Sequence, residues 1–188
     1  MTDKDRVKWD AKYREEPISA NPSEIVTKYW HLASPGRALD IASGGGRNSL
    51  FLAQKGFVVD AVDISTVAGK HLADKHPGIR VLCEDLDTWK IPKNQYDLIV
   101  NIRFLDRKLF PWIQSGLKNG GILVFESFLN GETDKYCLKT NELLHAFHKF
   151  QIIYYEEKKT DPGEKYNQIA SLVAAKSEKP ALGESKIR

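Results

Sequence analysis

The chain has 188 residues, 41% of them apolar and 28% charged, which suits one soluble globular domain able to bury a sizeable core. A net charge of +3, with lysines and arginines dispersed among acids and no basic stripe interleaved with aromatics, argues against a nucleic-acid partner. No run approaches the ~20 apolar residues that cross a membrane, and residues 1–16, MTDKDRVKWDAKYREE, lack the apolar segment of a secretory leader.

The first predicted element is a short amphipathic helix, Asp5 to Arg14, followed by a Pro/Ser/Asn-rich stretch, Pro17 to Ser23. Asn21 or Ser23 caps a second helix running through His31, which Pro35-Gly36 ends. Strand–helix pairs follow: Ala38–Ser43 with Asn48–Lys55, then Val58–Asp63 with Thr66–Lys75, then a strand Ile79–Glu84. The link Asp87 to Gln95 reads as loop, so this crossover lacks a full helix. Strand Tyr96–Ile102 leads to helix Lys108–Leu117, and Lys118-Asn119-Gly120-Gly121 reads as a tight turn into strand Ile122–Phe128. After an irregular stretch and a helix Asn141–Phe147, strands Gln151–Glu157 and Gln168–Lys176 are joined by the hairpin signal Thr160-Asp161-Pro162-Gly163. Residues 179–188 are polar and read as a frayed tail. Cys83, in a strand expected to be buried, and Cys137 lie far apart, a pattern of reduced thiols.

The segment Arg37 to Ala53, RALDIASGGGRNSLFLA, carries the most chemistry. It reads as a buried strand ending in an acid, a three-glycine elbow and an amphipathic helix, the arrangement that points backbone N–H groups into a nucleotide crevice. A dinucleotide fingerprint of the form G-x-G-x-x-G fits Gly44 and Gly46 but meets Ser49 at its third glycine. The pattern D-x-G-x-G-x-G fits Asp40, Gly44 and Gly46, with Ala42 in place of its first glycine. The second strand ends in Asp63, 19 positions after Gly44, placed either to accept two ribose hydroxyls or to cap the following helix. The third strand ends in Glu84-Asp85-Leu86, so Asp40, Asp63 and Asp85 stand at three successive strand tips.

These residues resemble the first motifs of class I S-adenosylmethionine-dependent methyltransferases. The resemblance spans roughly Trp9 to Lys176 and, through GGGRNSLFLA, is nearest to the small tellurite-resistance type of bacterial methyltransferase. It implies a doubly wound α/β fold, a mostly parallel seven-stranded sheet with a C-terminal antiparallel hairpin. It also implies one domain over residues 1–178 with a helical cap over about 1–34. For the cofactor, S-adenosyl-L-methionine, it implies contacts from Asp40, Ala42, Gly44, Gly46 and Asn48 at the first elbow. Asp63 and Ile64 would then meet ribose and adenine, Asp85 and Leu86 the adenine amine and ring, and Asn101 the cofactor by backbone or amide.

Substrate contacts are expected at the tip of the fourth strand, where Arg103 has the fork of an anion clamp, or else pairs with a nearby acid, and Phe104 walls the pocket or fills core. Trp9 and Tyr13 either form a lid over the methionine end or dock the first helix by their rings. The tellurite-type group carries a His-Arg pair after its penultimate strand; here the stretch reads Glu157-Lys158-Lys159-Thr160, which keeps positive charge but no imidazole. His145 and His148 share one helix face without a further ligand at metal spacing, so no metal is assigned. No residue is assigned a catalytic role, since a soft nucleophile such as a thiolate or chalcogen oxyanion needs no general base. The expected partner is a small molecule, with neither nucleic acid nor membrane, for a cytoplasmic monomer or homodimer. A dinucleotide-dependent oxidoreductase and a non-catalytic cofactor-binding protein are the two alternatives.

Overall fold

The computed structural model describes residues 3–15, 19–130, 135–160 and 166–177. Among these residues seven strands form one sheet: β1 (Arg37–Ile41), β2 (Val58–Asp63), β3 (Ile79–Cys83), β4 (Tyr96–Ile102), β5 (Leu117–Phe128), β6 (Gln151–Lys159) and β7 (Gln168–Ala175). Their spatial order is β3-β2-β1-β4-β5-β7-β6, parallel from β3 to β5, with β7 antiparallel to both β5 and β6. The helices are α1 (Asp3–Glu15), α2 (Glu24–Tyr29), α3 (Arg47–Gln54), α4 (Thr66–Leu72), α5 (Leu109–Gly116) and α6 (Glu142–Ala146), and α2 runs into a 3-10 turn, Trp30–Leu32.

The central strands read as unbroken apolar runs because both faces of the sheet are covered. Along β4, Ile99 joins one buried cluster while its neighbours Leu98 and Val100 join the other. The first cluster fills the space beneath α5 and α6 with Phe110, Ile113, Leu143 and Phe147. The second seats α2 and α3 through Ile25, Val26, Leu52 and Ala53. The strand order turns back between β1 and β4, and the crevice beyond the carboxyl ends of such neighbours is where open α/β sheets take ligands.

The expected elements are all present among the described residues, with three physical differences. The predicted turn Lys118–Gly121 lies inside β5 as a bulge: Leu117 still pairs with Tyr96, and the ladder resumes at Ile122 opposite Leu98. Cys83 is exposed, because β3 is an edge strand with a neighbour on one side only. Helix α1 forms where expected but is not amphipathic, since Val7 is 67% exposed and its one buried residue is Asp10. The hairpin signal at 161–163, the start of the Pro17–Ser23 stretch and the tail 179–188 lie outside the described residues. No helix among the described residues is long and apolar enough to cross a membrane.

Candidate functional site

A cavity of about 360 Å³ opens beyond the carboxyl ends of β1, β2 and β4, under the inner side of α1. Its floor is the turn between β1 and α3. Ala42, Gly44 and Gly46 all adopt left-handed backbone angles there, at φ 52°, 55° and 79°. Gly44 also tolerates a close approach: a Cβ at that position would stand 2.4 Å from the Tyr13 hydroxyl. Glycine therefore suits the turn by conformation and, at Gly44 and Gly46, by the room a Cβ would take, while Ala42 holds its left-handed angle with a Cβ.

Two carboxylates define the chemistry. Asp40, at the end of β1, is 1% exposed and accepts a 2.6 Å hydrogen bond from the Ser49 hydroxyl on α3. Desolvation and, less strongly, the like charge of Asp63 push its pKa up to about 6 against the Ser49 bond and Arg47. Asp63 accepts from the backbone N–H of Gly44 and of Ser65, each at 2.8 Å and each on a different oxygen. Burial raises its pKa despite those bonds. Ser49 explains itself here: the position that a dinucleotide fingerprint gives to a packing glycine holds the hydroxyl that satisfies Asp40.

Of the residues expected at the cofactor site, Asp40, Ala42, Gly44, Asn48, Asp63 and Ile64 line this one cavity. Gly46 sits beneath it, with Leu72 against its Cα. Leu86 is 3% exposed and belongs to the core under α5, because the chain after β3 turns back onto that core instead of rising to the rim. Asp85 accepts from the backbone N–H of Asp87, closing a turn after β3 outside the cavity lining. Asn101, buried at 1%, does not reach the cavity; its amide donates to the Phe104 carbonyl at 2.7 Å and shapes the loop that does. Asn48 is tied by its side-chain oxygen to the Ser23 N–H at 2.9 Å, so it also links α3 to the start of α2.

Arg103, Phe104 and Tyr13, the expected substrate contacts, line the cavity together with Trp9. The Trp9 and Tyr13 rings stack on one another at 6.0 Å. Asp10 docks the helix through the Ser65 and Thr66 hydroxyls and the Val67 N–H at the start of α4. Those hydrogen bonds outweigh desolvation and hold Asp10 below the usual carboxylate range. Sequence reasoning also missed Lys12, Ser43 and Arg47 in the lining; for Arg47 the signal was its place directly after the glycines.

A second cavity, about 660 Å³, adjoins the first, and Arg47 and Arg103 belong to the walls of both. Lys158 and Lys159 reach it because β6 runs two residues further than expected. Away from both cavities, His148 Nδ1 lies 2.9 Å from the His145 carbonyl, and no group of three candidate metal ligands occurs among the described residues.

The sequence matches the family of the tellurite resistance protein TehB over residues 2–168. Among solved structures, TehB from Haemophilus influenzae superimposes with a TM-score of 0.72 at 22% identity, over 90% of this chain and 67% of that one. The 1,6-didemethyltoxoflavin-N1-methyltransferase of Burkholderia thailandensis, solved with 1,6-didemethyltoxoflavin and S-adenosylhomocysteine, gives 0.71 at 15% identity over 93% and 87% of the two chains. A SAM-dependent methyltransferase from Methanosarcina mazei gives 0.64 at 21% identity over 84% and 99%. No curated protein matches the sequence. At these identities the structural matches establish the fold.

Proposed function

The chain belongs to the TehB family, the tellurite-resistance type of class I S-adenosylmethionine-dependent methyltransferase, and we propose that its first cavity binds that cofactor and its second receives a small-molecule methyl acceptor. The observation that carries this reading is the pairing of Asp40 and Asp63 on one cavity above a left-handed glycine turn. Two buried carboxylates, Asp40 raised by desolvation and by the like charge of Asp63 and Asp63 raised by desolvation, suit a ligand offering a cation to one and hydroxyl donors to the other. S-adenosylmethionine offers both, an α-ammonium and a ribose diol; a pyrophosphate beside Asp40 would repel it. The donor set present therefore fits this cofactor better than a dinucleotide.

On this reading Asp40 faces the ammonium, Asp63 the ribose and Ile64 the adenine edge, with Asp85 beyond the end of β3 left for the adenine amine. Leu86 and Asn101 support the site from behind. The cofactor, when bound, supplies an activated methyl on sulfur. The protein's part is to hold the partners in line and keep water out, and alignment of that kind is worth ~7–11 kcal/mol of barrier. Tyr13 and Trp9, carried over the cavity by α1, serve the exclusion. A thiol or a chalcogen oxyanion would need no general base at this site, whereas an amine or a hydroxyl would. A cytoplasmic setting accords with such chemistry.

Calorimetric titration with S-adenosylhomocysteine, with NAD in parallel, tests the reading. Micromolar binding of the former alone is expected. Binding of NAD alone, or of neither, overturns it, and cofactor affinity without turnover on any thiol, chalcogen or amine acceptor would mark a binding protein without catalysis.

A further inference from the structure

The wall shared by the two cavities is built around one strained residue. Arg103 adopts a left-handed backbone at φ 59°, a conformation that strains a non-glycine residue and persists where neighbours enforce it. Here they do. Its backbone N–H donates to the Glu126 carbonyl at 2.7 Å, its Nε donates to Glu126 Oε1 at 3.1 Å, and its guanidinium lies 4.8 Å from the centre of the Phe128 ring. Ser171 Oγ fixes the other oxygen of Glu126 at 2.9 Å. The result is a planar cation, stacked and oriented, facing the junction where a methyl donor and its acceptor must meet.

The second cavity is otherwise rich in cations and rings. Among its described lining residues five are cationic and three are carboxylates, the added cations being Lys28, Arg47, Lys158 and Lys159. Tyr29 and Tyr154 stand side by side with centroids 5.1 Å apart, and the Lys28 ammonium lies 5.2 and 5.5 Å from them. Its size matters as much as its charge. A volume of 660 Å³ falls within the ~300–1,000 Å³ of sites that take drug-sized ligands. A four-atom inorganic oxyanion occupies roughly 100 Å³, at the ~30 Å³ each water takes in the liquid.

Resting on the methyltransferase reading, we infer that the acceptor is an organic anion with a planar aromatic body, its acidic group held at Arg103 and its ring received beside Tyr154 and Tyr29. Arg103 is then a specificity residue: its fork matches a carboxylate, and Glu126 holds it in place through Nε and the backbone. An inorganic oxyanion would leave the tyrosine-lined part of this cavity unused.

The test is binding, so that it does not depend on turnover. The full-length protein is titrated with 4-hydroxybenzoate and with its neutral isostere 4-hydroxybenzamide, with and without saturating S-adenosylhomocysteine, and tellurite competes in a third series. The carboxylate is expected to bind at least tenfold tighter than the amide, and tellurite not to displace it. In Arg103→Gln that preference should fall to near unity, and in Lys158→Gln, on the exposed β6 edge and safe for folding, it should fall two- to threefold. Equal binding of acid and amide, no binding of the acid, a preference that survives Arg103→Gln, or displacement by tellurite would each overturn the inference. Failure of S-adenosylhomocysteine to bind would instead refute the cofactor assignment, while the comparison of acid and amide in the cofactor-free protein would still decide the anion site.

Discussion

The Asp10 carboxylate accepts a 2.6 Å hydrogen bond from the Ser65 hydroxyl, 55 residues along the chain, and through it α1 is fastened to the start of α4. Ser65 is itself the cap of α4, accepting from the Ala68 N–H, so Asp10 extends a helix cap that would exist without it. The same carboxylate reaches the Val67 N–H, where a negative charge is favoured by the helix dipole. No residue of α1 belongs to either hydrophobic cluster. Polar bonds to the start of α4 therefore fasten the helix that carries Trp9 and Tyr13 over the cavity.

Asp10→Ala should accordingly free α1 without unfolding the sheet. Charge-assisted bonds of this kind contribute ~1.5–3 kcal/mol, and their loss should appear as faster hydrogen exchange in residues 3–15 with little change in the core strands. S-adenosylhomocysteine should bind more weakly as well, because the cavity loses its cover. The pH dependence has a definite sign. Asp10 titrates below its unfolded value, so its contribution is complete at neutral pH and is lost as pH falls below about 4. Unchanged exchange in α1 would refute this account of its docking.

Asp40 acts with the opposite sign. Its folded pKa, about 6, lies above the unfolded 3.8, so the folded state prefers the protonated acid. Stability contributed by that preference is fully present below about pH 4 and is lost as pH rises to about 6, a difference of up to about 3 kcal/mol. Asp40→Asn keeps an acceptor for Ser49 and removes the charge. It should be more stable than the parent at pH 8 and no more stable at pH 4, while binding S-adenosylhomocysteine at least tenfold more weakly. Urea melts at the two pH values, with titrations alongside, decide it. In the parent, cofactor affinity should decline below about pH 6 as Asp40 protonates.

Much of this site was legible in the sequence because its parts are local. Glycines between an apolar run ending in an acid and a helical apolar face fix a turn within a dozen residues, and β2 and β4 begin and end where their composition says. What was not legible depends on contacts distant in sequence. Asp10 sits in a helix charged on all sides, and only Ser65 reveals its purpose. Leu86 follows an acid at a strand tip, as an adenine contact would, yet the following loop folds it under α5. Arg103 was recognised as a cation, but not that Glu126 and Phe128 hold it between two cavities.

Asp63 offers a sharper test than truncation. Its two oxygens each accept a backbone N–H, from Gly44 and from Ser65. An asparagine has one acceptor, so Asp63→Asn must turn an amide N–H₂ toward one of two donors. The substitution should therefore cost stability, about 1–3 kcal/mol for the donor left unsatisfied. It should also lower S-adenosylhomocysteine affinity ten- to a hundredfold through loss of the charged ribose contact. Asp63→Ala should lower affinity by as much. A variant with parental affinity in either form would show that Asp63 shapes the turn and does not touch the ligand.

Within the same turn, two opposite substitutions at left-handed positions should have opposite effects. Ala42 holds φ 52° with a Cβ, where the motif usually supplies glycine. Ala42→Gly relieves ~1 kcal/mol of backbone strain and adds ~0.4–1 kcal/mol of unfolded-state entropy. It should leave the denaturation midpoint unchanged or slightly raised, unlike alanine-to-glycine changes elsewhere. Gly46 holds φ 79°, and a Cβ there would stand 2.4 Å from Leu72 Cδ1, inside the packing of α4. Gly46→Ala must therefore bear backbone strain and displace a fully buried leucine, at a cost of about 2 kcal/mol or more. Chemical denaturation of the two variants beside the parent separates them: a loss above 1 kcal/mol for Ala42→Gly, or none for Gly46→Ala, would mean that the turn does not have this conformation.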